Sequence, residues 1–472
     1  MATVTVTAPA NGHVPENSLT VTDNRTGQTF SFPIKHNAVN ASEFKKIKAP
    51  EDPANLADQN EQGLRIFDPG FGNTCVSESK ITFIDGLKGM IQYRGYDIND
   101  LVAAKKGFVD TANLLWFGTL PSPAEKQALQ DRLNAVPLLD DHVFNVIRAM
   151  PYAATPHTHT AAPSTNNHLH SPNGSPFGMI IAGLMAVQSS QMSLIPAHAA
   201  KNLYLGNASL VDSQVIRAMQ SLSQITAAAY CHQTGRAFTP PRKDLSFVEN
   251  FLLMMGHVDS NTGLPNPRYV GYFERLWLLI ADHEMTCSTA AMLQTASALP
   301  DAFSCLASAA SALYGPLHGG AIEVAYKNIQ EIGSVENIPA KMARVKAGKE
   351  RLYGYGHRVY RVPDPRYKHI KEVLEELTAE IEGDPLLKVA FEVDRIARED
   401  EYFTSRKLNP NADLFAALAY NAMGFEPEWI LPISLMSRTQ GLLAHWKEAM
   451  SGAARIWRPG QIYTGDLNKK IE

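Results

Sequence analysis

Beyond residue 86, most of the chain repeats apolar residues at three- and four-residue spacing, and this pattern most constrains its fold. It occurs in residues 111–117, 125–136 and 211–229, where the spacing places one apolar stripe along a helix. Proline and glycine interrupt the pattern at intervals that suit short connections between helices. At 472 residues, the chain also exceeds the usual size of one hydrophobic core. The sequence therefore predicts a mostly helical protein with one large domain and a smaller one.

The beginning of the chain has a different pattern. Residues 1–15 are small and polar, include two prolines, and are predicted to be disordered. Residues 18–33 alternate polar and apolar side chains around residues 24–27, which predicts a short hairpin. Residues 79–84 predict the start of a second strand pair, which turns at Asp85 and Gly86. A small β-rich segment is therefore expected before the helices.

Composition excludes several classes of function. A net charge of −4, with 19% charged residues, gives no reason to expect nucleic acid or an anionic membrane as a partner. The four cysteines are scattered without a CxxC pair, which is typical of reduced residues in a reducing compartment. The sequence has no apolar run of ~18 residues, no secretory or mitochondrial signal, and no peroxisomal tripeptide at its end. We therefore predict a cytoplasmic protein.

Residues 150–178 interrupt the helical pattern with proline, serine, threonine and asparagine. They contain four histidines, His157, His159, His168 and His170. A zinc site is one alternative, but these histidines lack the paired spacing and flanking structure typical of such sites. We predict a mobile insertion here and no metal.

Two histidines in the second half of the chain lie at the ends of predicted helices. His283 follows the apolar helical residues 273–280, and His318 lies between glycine and proline just before the helical pattern of residues 321–332. For His318, the free N–H groups and positive dipole at a helix start favour a neutral imidazole that donates hydrogen bonds. An imidazole packed in the core is the ordinary alternative for each.

Two further segments contain ionisable residues beside turn residues. His357 follows the glycine-rich residues 354–356, and Asp413 opens the predicted helix of residues 414–423. The ordinary alternative for Asp413 is a helix cap. Spacing alone therefore indicates only a helical protein with candidate acid–base residues.

Taken together, these segments resemble the citrate synthase family, and the resemblance extends from about residue 18 to residue 465. The motifs that carry it are FDPGFGNTCVSESKITFIDG (67–86), IQYRGYDINDL (91–101), PRKDLSFVENFLLMM (241–255), DHEMTCST (282–289), YGPLHGG (314–320), GYGHRVY with DPR (354–366), PNADLF (410–415), SRTQGLLAHW (437–446) and RPGQIYTG (458–465). The beginning of the chain is similar to the bacterial form of the family.

The resemblance implies a mostly α, two-domain citrate synthase-like helical fold with a small β-rich N-terminal segment. Residues 1–55 would form an N-terminal arm and this β segment. Residues 56–315 with 410–472 would form the large helical domain, and residues 316–409 the small one. The active site would lie in the cleft between the domains, which would close over oxaloacetate and exclude water.

The family's reaction is a Claisen condensation of an acyl-CoA with oxaloacetate, followed by hydrolysis to citrate and CoA, as in the tricarboxylic acid cycle. The C–H group next to a thioester is a very weak acid. Its conversion to the enol therefore needs a base at the carbon and a hydrogen-bond donor at the oxygen. By motif match, His318 would donate to the thioester oxygen and Asp413 would remove the proton. His357 would hydrogen-bond to the ketone oxygen of oxaloacetate and protonate the alkoxide. The CoA thioester is a substrate, and no cofactor or metal is required.

The resemblance also implies how the substrates bind. Planar guanidinium groups suit the two carboxylates of oxaloacetate. The matching residues are His283, Arg366, Arg438 and Arg458. In the family, the arginine of RPGQ reaches the neighbouring subunit's site, so Arg458 implies a homodimer with shared active sites, and a hexamer is the alternative assembly. Arg358 and Arg361 are the candidates for binding the CoA phosphates, with a solvated surface as the ordinary alternative.

Three departures from the family pattern concern the acyl group. Ile322 replaces the usual asparagine four residues after His318, and Phe177 lies where the bacterial form has a His-Pro-Met motif. Trp457 and Gly460 are also unusual around the arginine of RPGQ. Ile322 and Phe177 are therefore candidates for an enlarged apolar acyl pocket, in which each buried CH₂ contributes ~0.8 kcal/mol.

Several functions therefore remain open. Acetyl-CoA is the default substrate. A longer acyl-CoA, such as hexanoyl- to decanoyl-CoA, would make the chain a 2-alkylcitrate synthase, and propionyl-CoA would make it a 2-methylcitrate synthase. A catalytically silent CoA- or dicarboxylate-binding protein is a further alternative, but it would be expected to lack one of the catalytic residues. A Ser-His-Asp hydrolase is not indicated, because no GxSxG motif occurs near these histidines.

Overall fold

The computed structural model describes residues 17–55, 58–151, 174–379 and 384–471. The predicted disordered start, residues 1–15, lies outside these ranges, as do residues 152–173 with the four histidines of the predicted insertion. Within the described ranges the chain is mostly helical and its strands are short. The predicted mostly α fold is confirmed.

The strands form two small antiparallel sheets, each with its strands in chain order. They are β1 (Ser18–Asp23), β2 (Gln28–Lys35), β3 (Ala38–Val39), β4 (Thr82–Asp85), β5 (Met90–Tyr93) and β6 (Tyr96–Asp97). The predicted hairpin of residues 18–33 is confirmed, with Asp23 paired to Gln28 across its turn. The strand predicted for residues 79–84 begins later, at Thr82.

Helices fill most of the rest of the described chain. They are α1 (Ile98–Ala103), α2 (Phe108–Phe117), α3 (Pro123–Asn134), α4 (Asp141–Arg148), α5 (Pro176–Ser189), α6 (Pro196–Ala199), α7 (Ala208–Thr234), α8 (Phe247–Met254), α9 (Pro267–Ile280), α10 (Cys287–Ala296), α11 (Ala302–Leu313), α12 (Ala321–Ile332), α13 (Ile338–Lys346), α14 (Pro365–Thr378), α15 (Pro385–Glu399), α16 (Glu401–Ser405), α17 (Asp413–Ala422) and α18 (Pro427–Ser451). The helices predicted from spacing correspond to α2, α3, α7, α9, α12 and α17.

Contacts divide the chain into two compact units. Residues up to 78 together with those from 458 onward form one unit, and residues 79–457 form the other, which contains all of the helices named above. The predicted domain boundaries near residues 315 and 409 fall inside the second unit. The division into a large domain of residues 56–315 with 410–472 and a small one of residues 316–409 stays a prediction.

The core of the helical unit is built around α18. This helix is buried continuously from Trp429 to Trp446, and it packs against α2, α7, α9, α10 and α11. A helix buried on all its faces must satisfy its polar side chains inside the protein. Ser437 does so by donating to the Trp277 carbonyl at 2.7 Å. Polar groups on α18 are therefore held in fixed positions, and Arg438 and His445 are among them.

Among the described residues, no helix is long and apolar enough to cross a membrane.

Candidate active site

His283 lies in a buried turn just after α9. Asp282 before it is fully buried and faces His445 of α18, whose Nε2 lies 3.3 Å from the carboxylate. The same carboxylate accepts the backbone N–H of Glu284 at 3.0 Å. The Nε2 of His283 is 2.9 Å from the hydroxyl of Tyr360. Burial, together with nearby guanidinium charge, holds the pKa of His283 well below its usual range, so the imidazole is neutral.

His357 is oriented by backbone amides that follow it in the chain. Its Nδ1 accepts the N–H groups of Val359 at 3.0 Å and Tyr360 at 3.4 Å. A ring nitrogen that accepts a hydrogen bond carries no proton, so the proton of the neutral ring is on Nε2. Burial and then the charge of Arg366 lower the pKa of His357 to about 4. The ring centroids of His357 and His283 are 5.3 Å apart.

His318 lies in a tight turn and faces the beginning of α10. Its Nε2 accepts the backbone N–H of Ser288 at 3.2 Å and lies 2.9 Å from the hydroxyl of the same residue. Such N–H groups in the first turn of a helix have no partner within the helix. The accepting Nε2 leaves the proton on Nδ1. Burial, followed by the charge of Arg438, lowers the pKa of His318 to about 4.

Asp413 is the first residue of α17. Its N–H donates to the side-chain oxygen of Asn411 at 3.0 Å, and Asn411 donates in turn to the Gly356 carbonyl at 3.1 Å. The N-cap position of α17 is Ala412, and Asp413 is the residue after it, so the helix-cap alternative does not describe Asp413. Burial raises its pKa to about 6, although Arg366 and Arg438 both act to lower it. A carboxylate with this pKa is a stronger base than an ordinary one.

Two buried guanidinium groups provide the positive charge around these residues. Arg366 pairs with Asp364 through two hydrogen bonds of 2.9 and 2.6 Å, and both side chains are almost completely buried. Arg438 donates from Nε to the Ile280 carbonyl at 3.0 Å. Each guanidinium group lowers the pKa of a different histidine and of Asp413. The geometry therefore provides three neutral imidazoles, one basic carboxylate and two fixed cations, which suits acid–base chemistry on an anionic substrate.

The structure brings together most of the residues predicted to carry the chemistry. A ring contact and charge interactions link His283, His318, His357, Arg366, Arg438 and Asp413. Arg358 and Arg361 are exposed. Arg458 is exposed in the other compact unit. The roles predicted for these three arginines stay predictions.

Both candidates for the acyl pocket are buried. Ile322 is in the first turn of α12, which packs against α17 and therefore against the helix that carries Asp413. Phe177 is in the first turn of α5, and its ring stacks on that of Tyr314 with centroids 5.0 Å apart. Tyr314 ends α11 and precedes the turn of His318.

Sequence reasoning missed several residues that hold the site in place. They are Ser288, Tyr360, Asp364, Asn411 and His445. A signal existed for two of them, since Ser288 lies in a run of threonine and serine at a helix start and Asn411 is two residues before Asp413. Polar residues at such positions are typical of helix caps, and this pattern gives no indication of a role beside an imidazole.

No metal site is evident in the described part of the chain. No group of three or more histidine, cysteine, aspartate or glutamate side chains there could hold an ion. The histidines of residues 152–173 lie outside the described residues, so the prediction for the insertion stays a prediction.

Comparison with known proteins gives a consistent result. Residues 70–460 match the citrate synthase C-terminal domain. The citrate synthase-like protein oryE of Aspergillus oryzae is 65% identical over 455 residues, covering 96% of this chain and 97% of that protein. The alkylcitrate synthase phiJ of a fungal species is 35% identical over 458 residues, covering 96% and 95%.

A solved structure is similar over most of the chain. It is the citrate synthase of the thermophilic archaeon Thermoplasma acidophilum in a ternary complex with carboxymethyl coenzyme A and oxaloacetate. The TM-score is 0.73 at 26% identity, covering 84% of this chain and 96% of that one. The chain described here belongs to the citrate synthase family, and it is a transferase of the EC 2.3.3 type.

Proposed function

We propose that this enzyme condenses an acyl-CoA with oxaloacetate at the site described above and hydrolyses the product to a citrate and CoA. The observation that carries the proposal is the pair of neutral imidazoles with opposite free ring nitrogens. His318 offers Nδ1–H and His357 offers Nε2–H, because the other nitrogen of each ring accepts backbone N–H groups. One ring donates through Nδ1 and the other through Nε2. Two such different donors suit a reaction in which two different oxygen atoms must be stabilised.

In the first step, Asp413 removes a proton from the carbon beside the thioester. Its raised pKa of about 6 makes it a better base than an ordinary carboxylate while it stays ionised at neutral pH. His318 donates from Nδ1 to the thioester oxygen, which gains negative charge as the enolate forms. A neutral donor suits this step because it stabilises the negative charge on this oxygen by a hydrogen bond and keeps its own proton, so the species that forms is an enolate.

In the second step, the enolate carbon attacks the ketone carbon of oxaloacetate and forms the new carbon–carbon bond. His357 donates from Nε2 to the ketone oxygen and protonates the alkoxide that results. The proton that Asp413 took up in the first step then returns to His357, so that both residues regain their starting protonation states. Water then attacks the thioester carbonyl, and the carbon–sulfur bond breaks to release CoA and the carboxylate. This hydrolysis makes the whole reaction practically irreversible.

The carboxylates of oxaloacetate bind to Arg366 and Arg438, with His283 as a further contact in this proposal. Their burial supports it, because fixed cations away from water bind an anion more strongly than exposed ones. Arg458 contributes from a second copy of the chain. Arg358 and Arg361 bind the phosphates of CoA, a role that their exposure allows.

We further propose that the enzyme is a homodimer with shared active sites. The compact unit that contains Arg458 exposes several large apolar side chains, including Phe67, which is 73% exposed, and Phe71. Burial of these side chains against a second copy of the chain would support the dimer. Light scattering of the purified protein tests the assembly, because twice the chain mass supports the dimer and six times the mass the hexamer.

The four free cysteines are compatible with the proposed cytoplasmic location.

Acetyl-CoA is the default acyl donor, and a longer acyl-CoA is the second candidate. An apolar surface beside His318 favours the second, since Leu317 is 91% and Tyr314 50% exposed. Similarity to a relative named as an alkylcitrate synthase supports the same candidate. Phe177 contacts this surface through Tyr314, whereas buried Ile322 would act by filling space next to α17.

The experiment that tests the proposal follows CoA release with saturating oxaloacetate. Acetyl-, propionyl-, butyryl-, hexanoyl- and octanoyl-CoA are compared, with His318→Ala as the inactive control. The highest kcat/KM at acetyl-CoA indicates a citrate synthase, at propionyl-CoA a 2-methylcitrate synthase, and at six or more carbons an alkylcitrate synthase. If a folded protein releases no CoA from any substrate, the proposed reaction is wrong and the silent binding protein is favoured.

A further inference from the structure

The turn between β4 and β5 lies against the chain segment that follows His357. The Gly86 carbonyl in this turn accepts the N–H of Arg361 at 2.9 Å. A β-carbon added at Gly86 would collide with the carbonyl oxygen of Val359, and one added at Gly89 would lie 2.8 Å from Cγ2 of Val362. The turn and the segment of residues 359–362 therefore fit together only because the turn lacks side chains at these positions.

Val359 connects this contact to the imidazole. Its carbonyl faces Gly86, and its N–H is the donor that holds Nδ1 of His357 at 3.0 Å. Both groups belong to one short stretch of backbone, so a displacement of the carbonyl also displaces the donor. The position of the His357 ring thus depends on how closely the β4–β5 turn approaches.

The same hairpin also contacts the loop of His283. The backbone N–H of Ile84 in β4 donates to Oε1 of Glu284 at 2.6 Å. Glu284 has a φ of 53°, a left-handed conformation that is uncommon for a residue other than glycine. Its N–H is held by the Asp282 carboxylate at 3.0 Å. Bonds from its side chain and its backbone therefore hold the residue next to His283 in this conformation.

We propose that the β4–β5 hairpin is a positioning element of the active site, in which Gly86 and Glu284 set the positions of His357 and His283. Neither residue needs to contact a substrate. One small hairpin thereby fixes the spacing of two imidazoles whose centroids are 5.3 Å apart. The inference rests on the proposed function for its effect on oxaloacetate, but its structural part can be tested without activity.

Gly86→Ala is the direct test. Gly86 is not among the glycines with positive φ, so alanine adds the contact with Val359 without backbone strain. Gly271→Ala is the matched control, because a β-carbon there meets nothing within 4 Å. Misplacement of a catalytic group by about 1 Å can cost ~100-fold in rate, so we expect Gly86→Ala to lower kcat/KM for oxaloacetate by at least ~10-fold. Gly271→Ala should retain the wild-type value.

A partial reaction separates positioning from general damage. Exchange of the acyl-CoA α-hydrogen with deuterated water, in the presence of malate, needs the proposed base but cannot proceed to condensation. We expect Gly86→Ala to keep this exchange within about twofold while condensation falls, since a small displacement affects mainly the group that is moved. Equal loss of exchange and condensation would mean that the variant is damaged as a whole, and would contradict the proposal.

Glu284 provides a second pair of variants if Gly86→Ala does not fold. Glu284→Gln keeps an acceptor for the N–H of Ile84, whereas Glu284→Ala removes it. We expect Glu284→Ala to raise the KM for oxaloacetate and Glu284→Gln to keep it near the wild-type value. Equal defects in both variants would contradict the role of this hydrogen bond.

A crystal structure of Gly86→Ala tests the inference even if the wild-type protein releases no CoA. Loss or lengthening of the bond from Val359 N–H to His357 Nδ1 is expected, and an unchanged His357 ring would overturn the proposal. Failure of the reaction itself would be evident in the wild-type protein, so the two outcomes are distinct.

Discussion

His318 and His357 are both neutral imidazoles with lowered pKa values, but they are held by opposite ring nitrogens. His318 accepts at Nε2 from the beginning of α10, a helix that is distant in the chain. His357 accepts at Nδ1 from amides that follow it directly. Each histidine also has its own guanidinium neighbour, Arg438 for His318 and Arg366 for His357. The same side chain thus becomes two different donors because the backbone around it differs.

The two histidines differ in which part of the chain determines the orientation of the ring. The local turn that holds His357 requires only the residues after it, together with the hairpin that packs against them. The orientation of His318 requires that α10 and the turn before α12 meet in the folded unit. A histidine held by a helix terminus therefore depends on tertiary packing, whereas one held by its own turn depends mainly on local backbone geometry.

The largest effects are expected from removing each imidazole in turn. Removal of one donor to a developing negative charge typically costs 10²–10³ in rate, so His318→Ala and His357→Ala should each lower CoA release by ~10³-fold. Only His318→Ala should also abolish exchange of the acyl-CoA α-hydrogen with deuterated water, because its proposed partner is the thioester. His357→Ala should retain that exchange.

The control for these two variants is His369→Ala, a buried histidine on α14 that bonds to Asn99 rather than to the site. It should keep both reactions if it folds. Equal loss of exchange in His318→Ala and His357→Ala would contradict the division of roles between the two imidazoles.

Much of the fold could be predicted from spacing, and the exceptions have a physical reason. Helices such as α7 and α12 have regular apolar stripes, which are local properties of the sequence. The strands β3 and β6 have only two residues each, which is too short for an alternating pattern. The boundaries of β4 depend on its pairing with β5, so the predicted start of that strand was too early.

The candidate site was predictable in its reactive residues but not in those that hold them. The roles predicted for His318, His357 and Asp413 came from motifs that resemble the citrate synthase family, because spacing alone indicates only candidate acid–base residues. Ser288 and Asn411 look like ordinary helix-cap residues in the sequence. Their contacts with His318 or with the loop of His357 depend on which helix start faces which turn, and this is decided by packing of the whole unit.

The next largest effects are expected from the two guanidinium groups. Arg366→Gln and Arg438→Gln should each raise the KM for oxaloacetate by ~10–100-fold, since hydrogen bonds to charged groups are worth ~1.5–3 kcal/mol. Both arginines lower the pKa of Asp413, so both variants should also move the acid limb of activity to higher pH. Steady-state kinetics at varied oxaloacetate and pH measure both effects.

Lys368→Gln provides the matched charge removal on α14, because its side chain is 76% exposed. It should leave KM and the acid limb unchanged. A shift of the limb in Lys368→Gln equal to that in Arg366→Gln would indicate an effect of net charge rather than of the buried cations.

A smaller and graded effect is expected from pH. The folded-state pKa of Asp413 is raised to about 6, so the proposed base is ionised above this pH and becomes protonated as pH falls through it. The kcat/KM for acyl-CoA should therefore fall about tenfold per pH unit below that value and be level above it. The pKa values of both histidines are about 4, so they remain neutral and add no limb in this range.

The measurement is a pH profile between 5 and 8 with protein stability checked at each point. A limb with its midpoint above pH 7 would contradict the assignment to Asp413. It would instead indicate that an imidazole must lose its proton before the reaction, in contrast to the neutral donors proposed here.

The smallest effect is expected from Ser288→Ala, which removes one of the two groups that hold His318. The hydroxyl at 2.9 Å is lost, but the backbone N–H at 3.2 Å still donates to Nε2 and still fixes the proton on Nδ1. A single hydrogen bond is worth about 1 kcal/mol, so CoA release should fall only ~5-fold. No equivalent side-chain substitution exists for His357, since both of its Nδ1 donors are backbone groups.

Ser304→Ala is a suitable control, because its hydroxyl bonds to Asp301 at the start of α11. A loss in Ser288→Ala as large as that in His318→Ala would mean that the hydroxyl, and not the helix start, determines which ring nitrogen is free.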